Sequence, residues 1–292
     1  MALKPPVEVP QGAIRLNTDS QRLEFFAQDQ WWQLAAENAP ESTLGGRGVC
    51  FGGQGNPPAY TKTDTIDYIT ISTAGNATDF GNLLSNSDDS SQCFGGGNDT
   101  RGIFAGGYNN VNVIQYITIA SAGNATDFGD LQTGRFDHAG FASPTRAVFA
   151  GGKNTPASPA EQSSIEYVTI ATTGNGTDFG DMSVVTRGPS GSSSNTRGLM
   201  AGGVSPDSNS IEFLTIATTG NASRFGDLSV GRAETLAGGT SNNVRAFWAG
   251  GGTVNVIDFV KIATEGNAND FGDLSVARSN TAGVSNAHGG LS

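Results

Sequence analysis

The chain has 292 residues, a formal net charge of −11, 42 glycines and only two cysteines and two histidines. An acidic chain without a basic run argues against nucleic acid or an anionic membrane surface as partner. No apolar stretch approaches membrane-spanning length and no signal peptide is visible, so neither membrane insertion nor Sec export is expected. Cys50, Cys93, His138 and His288 make neither a disulfide framework nor a zinc spacing. No metal and no cofactor are expected.

Residues 1–11 carry three prolines and read as an extended arm. The stretch from Gly12 to Phe26 then reads as strand, turn, strand. After a turn at Asp29-Gln30 a third strand begins at Trp31-Trp32-Gln33-Leu34. The segment 1–44 is too small to be stable without help. It also concentrates Phe25, Phe26, Trp31 and Trp32, the residue types that dominate interface energies. A β-meander that docks on the rest of the chain, on copies of itself or on another protein is expected here.

From residue 45 to 292 one block recurs five times. Its glycine doublets fall at Gly52-Gly53, Gly106-Gly107, Gly151-Gly152, Gly202-Gly203 and Gly250-Gly251. Its Phe-Gly pairs begin at Phe80, Phe128, Phe179, Phe225 and Phe271, a pitch of 46 to 51 residues. Self-similarity at such a period is read before anything else. The run Ile165-Glu166-Tyr167-Val168-Thr169-Ile170 alternates with β-branched and aromatic residues and reads as a strand apolar on both faces. The Gly-Asn pairs at Gly75, Gly123, Gly174, Gly220 and Gly266 read as tight hairpin turns. Cys50 shares its slot with Phe104, Phe149, Met200 and Trp248 and reads as a buried small hydrophobe.

Each unit therefore holds a doublet strand, an Ile-x-Tyr strand, a Phe-Gly strand and a fourth piece, with no credible helix. Four strands per 40 to 50 residues is the signature of a propeller blade. A solenoid coil needs about half this pitch, and separate 50-residue modules could hardly bury a core. The expected fold is all-β: a five-bladed β-propeller over 45–292, with the last strand near Asn286 completing the first blade.

The connections after the doublets vary most, and loops on a rigid scaffold are where recognition usually sits. Gln54 to Asp64 and Lys153 to Gln162 are long, whereas Gly-Thr-Val-Asn follows Gly251. Tyr60, Lys62, Tyr108 and Lys153 are the candidate contacts of this rim. Asp-Phe-Gly at Asp79, Asp127, Asp178 and Asp270 lacks the other kinase motifs and reads as a structural turn. The carboxylate pair Asp127 and Asp130 recurs as Asp178 with Asp181 and Asp270 with Asp273, whereas glycoside hydrolysis needs two in one cleft. Asp130, Asp181, Asp227 and Asp273 are followed by Arg135, Arg187, Arg232 and Arg278, and in blade one Asn82 and Ser87 lack both charges. That joint loss points to an Asp–Arg pair across a turn within each repeat. The Asn-x-Thr/Ser triplets at Asn76, Asn124, Asn175 and Asn221 read as turn residues.

The string GAIRLNTDSQRLEFFAQDQWWQLA resembles a segment of tail-fibre, baseplate and other appendage proteins of tailed bacteriophages, through Gly12, Arg15, Asn17, Thr18, Leu23, Glu24, Phe25 and Trp31 or Trp32. Repeats such as IEYVTIATTGNGTDFGDM with TRGLMAGG are similar to those of structural proteins from phages of marine cyanobacteria and related hosts. They also resemble kelch blades in the doublet and downstream Tyr, although Phe128 follows Tyr116 by twelve residues rather than at the kelch Tyr-to-Trp spacing. The resemblance implies a non-enzymatic virion structural protein, present in multiple copies and assembled in the host cytoplasm. Its meander would attach to other virion proteins of tail, baseplate, neck or capsid, and its kelch-like propeller would project outward. A carbohydrate-binding adhesin whose rim holds host surface glycan is the alternative, and a glycan depolymerase the third reading.

Overall fold

A computed structural model describes residues 10–17, 22–28, 30–33, 46–53, 62–71, 73–84, 94–155, 160–204, 208–232, 239–252, 254–278 and 283. Its elements are all strands, in six small antiparallel sheets. Two compact units divide the chain, Met1–Gly45 and Gly46–Ser292.

The first unit is the meander β1 (Ile14–Asn17), β2 (Arg22–Ala27), β3 (Gln30–Gln33). Period 2 sorts its side chains into two sets. On one face the Arg15 guanidinium contacts the Glu24 carboxylate at 2.8 Å and lies 4.0 Å from the Trp31 ring centroid. Trp31 in turn meets Phe26 edge-on at 5.3 Å. On the other face Ile14, Phe25 and Trp32 are cross-strand neighbours, with Ile14 and Trp32 exposed.

The second unit holds five sheets. Sheet one is β4 (Arg47–Phe51), β5 (Thr65–Thr70) and β6 (Thr78–Asn82). Sheet two is β7 (Phe94–Gly97), β8 (Arg101–Ala105), β9 (Val113–Thr118) and β10 (Thr126–Asp130). Sheet three is β11 (Ala139–Ala142), β12 (Arg146–Ala150), β13 (Gln162–Thr169) and β14 (Thr177–Thr186). Sheet four is β15 (Ser190–Ser193), β16 (Arg197–Ala201), β17 (Ser208–Thr215) and β18 (Ser223–Arg232). Sheet five is β19 (Thr240–Ser241), β20 (Arg245–Ala249), β21 (Val256–Lys261) and β22 (Asn269–Asp273). Strands pair in chain order within each sheet, so the piece after one Phe-Gly strand opens the next sheet. In sheet one β4 has no such partner among the described residues, and the strand expected near Asn286 lies outside them.

The hydrophobic core sits between sheets. Ile103, Ile114, Phe128 and Leu131 of sheet two pack with Phe149, Val168 and Ile170 of sheet three, and the later sheets repeat the pattern. The Ile-x-Tyr strands are accordingly buried on both faces. The opening strands β7, β11, β15 and β19 lie side by side in that order. They approach so closely that a Cβ on Gly140 would stand 2.8 Å from the Gly95 carbonyl oxygen, and one on Gly191 2.6 Å from that of Gly140. Only glycine allows backbones that close.

Two turn assignments are corrected. The hairpin after each Ile-x-Tyr strand closes earlier than Gly-Asn, as in Ser121 N–H to Thr118 O (3.0 Å) and Thr172 N–H to Thr169 O (3.1 Å). Gly-Asn instead docks on the Phe-Gly strand of the preceding sheet. Gly174 donates to Phe128 O at 2.8 Å, Gly176 to Asp130 O at 2.8 Å, and the Asn175 side chain accepts the Asp130 N–H. Asp-Phe-Gly is likewise no turn: it is a bulge inside the strand, where the register shifts between Asp127 and Gly129. At φ +148°, Gly129 would place a Cβ 2.5 Å from the Gly174 carbonyl oxygen. Cys50 is exposed, unlike Phe104, Phe149, Met200 and Trp248, because those four pack on a preceding sheet and sheet one has none among the described residues.

Candidate functional site

The doublet loops and the crossovers between sheets emerge at the same end of the strands. There sheets one to three contribute to one cluster. Lys62 brings its ammonium 4.1 Å from the Tyr108 ring centroid. Tyr108, half-exposed after the Gly106-Gly107 doublet, lies 5.4 Å from the Phe136 ring. Phe136, on the crossover from sheet two to sheet three, exchanges backbone hydrogen bonds with Lys153 at 3.0 and 2.8 Å. Two of the chain's four lysines thus flank one aromatic pair.

The local backbone makes this possible. Asn109 and Asn110 take left-handed φ of 67° and 63°, which asparagine tolerates better than other non-glycine residues. That turn presents Tyr108, and the Asn110 side chain bonds both the N–H and the carbonyl of Thr155, tying the two loops together. Phe136 is itself buried, so the surface offered is the Tyr108 ring with the Lys62 ammonium and the Asn110 turn beside it, groups that can stack on and hydrogen-bond polar ring-shaped ligands. Of the expected rim residues, Lys62, Tyr108 and Lys153 come together, and Phe136 joins them unforeseen. Tyr60 lies outside the described residues. Among the described residues no three His, Cys, Asp or Glu side chains converge as a metal site.

Interior charges also differ from expectation. Arg135 does not pair with Asp130; its buried guanidinium meets Glu166 of the next sheet and donates to the Gly151 and Ser164 carbonyls at 3.1 and 2.9 Å. Arg232 likewise meets Asp258 at 2.5 Å rather than Asp227, which takes Arg224. Arg187 lies 3.9 Å from Asp137 rather than on Asp181. Asp273 and Arg278 form no ion pair with each other among the described residues. Burial pulls the Arg135 and Arg232 guanidinium pKa values below their ordinary value, and Glu166 and Asp258 oppose that shift by attraction and hydrogen bonding.

A second device was unforeseen. Arg47, Arg101, Arg146, Arg197 and Arg245 each stack on the aromatic of their own Ile-x-Tyr strand, at 4.3 to 5.1 Å. The first four also donate to an isoleucine carbonyl of the next sheet: Ile119, Ile170, Ile216 and Ile262. An arginine at the start of every doublet strand, five residues before each glycine doublet, was the available signal.

Of the meander's four aromatics, Phe26 and Trp31 engage each other, while Phe25 and Trp32 share the second face. No protein-family model matches the chain, and no curated protein matches it significantly.

Proposed function

We propose that this chain is a non-enzymatic structural protein of a bacteriophage virion, a tail or capsid appendage, whose meander attaches to another virion protein and whose five sheets form a five-bladed, kelch-like β-propeller displayed outward. The observation that carries the attachment is the division of the meander's two faces. Arg15, Glu24, Phe26 and Trp31 satisfy one another, whereas Ile14 and Trp32 stay exposed beside Phe25. An apolar face with a tryptophan on so small a sheet suits a protein partner. The propeller is supported by four successive junctions built from the same bonds, with each half of a fifth left on the outermost sheets.

The test is incorporation into particles. A chain carrying Ile14→Ser and Trp32→Ala should fold, since the Arg15–Trp31 face is untouched, yet fail to join virions. Normal incorporation would remove the attachment reading.

Host-surface adhesion is a second role, favoured by the Lys62–Tyr108–Phe136 cluster. Glycan-array binding that disappears with Tyr108→Ala, at unchanged thermal stability, supports it. Binding unaffected by Tyr108→Ala would place any receptor site elsewhere.

A further inference from the structure

We propose that Arg278 of sheet five and Asp67 of sheet one form an ion pair that latches the last sheet of the chain onto the open face of the first. The proposal rests on the propeller reading and adds to it the residues that decide which sheets may meet.

Every junction has a direction. The leading sheet offers its doublet-strand arginine, its Phe-Gly pair and the residue five positions past the strand's last Asp or Asn. The following sheet offers an isoleucine carbonyl, Gly-Asn and a buried acid or amide. Sheet five offers the first set with nothing opposite. Phe271 is 56% exposed, whereas Phe80, Phe128, Phe179 and Phe225 are at most 4% exposed, and no atom lies within 4 Å of a Cβ built on Gly272. Sheet one offers the second set, equally unmet: Ile71 is 44% exposed, whereas Ile170, Ile216 and Ile262 are at 1%.

Within this frame Arg278 and Asp67 already stand in position. The Arg278 carbonyl accepts the Gly251 N–H at 2.9 Å, as the Arg135 carbonyl accepts that of Gly107 at 3.0 Å. Asp67 pairs across β4–β5 with Cys50, as Glu166 pairs with Phe149 and Asp258 with Trp248.

The charges match. The slots that face one another read Arg135 with Glu166, Thr186 with Glu212 and Arg232 with Asp258; the corresponding sequence positions for sheets one and two hold Ser87 and Gln115. Arg278 with Asp67 completes the set, and Thr186 with Glu212 is its one unmatched charge. Glu166 needs Gly176 beside it, since a Cβ there would stand 2.6 Å from its Oε2. The other repeats carry alanine at that position, Ala125 with Gln115, Ala222 with Glu212 and Ala268 with Asp258, and Ala77 with Asp67 follows them. The occupant is the same chain: Arg278 precedes Gly283 by the five residues that separate Arg135 from Gly140 and Thr186 from Gly191. That step leads to the edge of a doublet strand, and β4 is the one with this edge open among the described residues. Tethering within one chain also gives closure a high effective concentration.

Cys50 supplies the readout, because its counterparts are buried at junctions. With Cys93→Ser as parent, leaving Cys50 the only thiol, maleimide should label slowly, and light scattering should give a monomer at all concentrations. Asp67→Arg and Arg278→Asp should each speed labelling at least about tenfold and lower Tm by roughly 5–10 °C, and the two together should restore both values. Asp67→Gln with Arg278→Ser, which copies the uncharged Gln115 and Ser87 that the sequence carries at the corresponding positions, should stay protected even if the charged variants fail to fold. Rapid labelling of the parent would overturn the closed ring and the latch together. Protection kept in both single variants, with additive Tm effects, would overturn the latch and leave the ring. Concentration-dependent oligomers, with protection regained on mixing the two single variants, would make a second copy the occupant and overturn the proposal.

Discussion

The junction between sheets two and three and the junction between sheets three and four bury a glutamate at the same place and treat it differently. Glu166 accepts the Gln132 N–H at 2.7 Å through one oxygen and binds Arg135 through the other. Glu212 accepts the Ser183 N–H at 3.1 Å and the Ser183 hydroxyl. No arginine reaches it, because one extra residue moves Arg187 out and puts Thr186 in the arginine's position: the Thr186 carbonyl accepts the Gly152 N–H as Arg135's accepts Gly107's. Gln115 does the same for Leu84 N–H at 2.7 Å, and Asp258 for Ser229 N–H at 3.2 Å. What repeats is thus an oxygen that satisfies a backbone donor just past the Phe-Gly strand. The guanidinium is an addition that neutralises the acid where it is present. An unsatisfied buried N–H would cost free energy at every junction.

Breaking the first junction should have the largest effect. Arg135→Ala leaves Glu166 buried and two carbonyls without their donor, and should cost about 3–5 kcal/mol in urea unfolding. Gly176→Ala comes next, at about 1–3 kcal/mol, since the new methyl crowds the Glu166 carboxylate. Shortening that acid with Glu166→Asp in the same chain should recover part of the loss, and strictly additive costs would show that the crowding is not the cause. Glu212→Gln keeps the acceptor for Ser183 and has no arginine to strand, so under about 1 kcal/mol is expected. A loss as large as that of Arg135→Ala would mean that charge, not acceptance, is the repeated requirement. Asp130→Asn should be smallest, within about 0.5 kcal/mol, because Asp130 is exposed and does not partner Arg135. A double-mutant cycle of Asp130→Asn with Arg135→Ala that shows coupling would restore the pairing within a repeat.

Much of this architecture was legible from residues alone. Period 2 at Ile165–Ile170 placed the strand and its two buried faces, and the five doublets set the number of sheets. The joint absence of charge at Asn82 and Ser87 suggested an Asp–Arg pair within each repeat, whereas Arg135 and Arg232 take acids of the next sheet instead. Asp130 is near Arg135 in the chain, whereas Glu166 lies 31 residues away on the next sheet. The partner was marked all the same, by a polar residue at one apolar strand position in each repeat: Asp67, Gln115, Glu166, Glu212 and Asp258. The rim was half legible for a similar reason. Loop length pointed to Lys62 and Lys153, and Tyr108 was expected on the same rim, while Phe136, on a crossover, carried no loop signal.

The sequence by itself determined the strand order, the period and which face of each strand is apolar, because these follow from local alternation and from glycine's freedom at bulges and close approaches. Only the tertiary structure decided which sheet each conserved-looking side chain serves. Gly174 meets Phe128, Asn175 meets Asp130, and Arg135 meets Glu166 across junctions rather than within repeats. A repeat read along the chain cannot distinguish a contact inside one copy from the same contact made between neighbours. Burial of the core between the sheets settles it, by bringing one copy's Phe-Gly strand against the next copy's Gly-Asn.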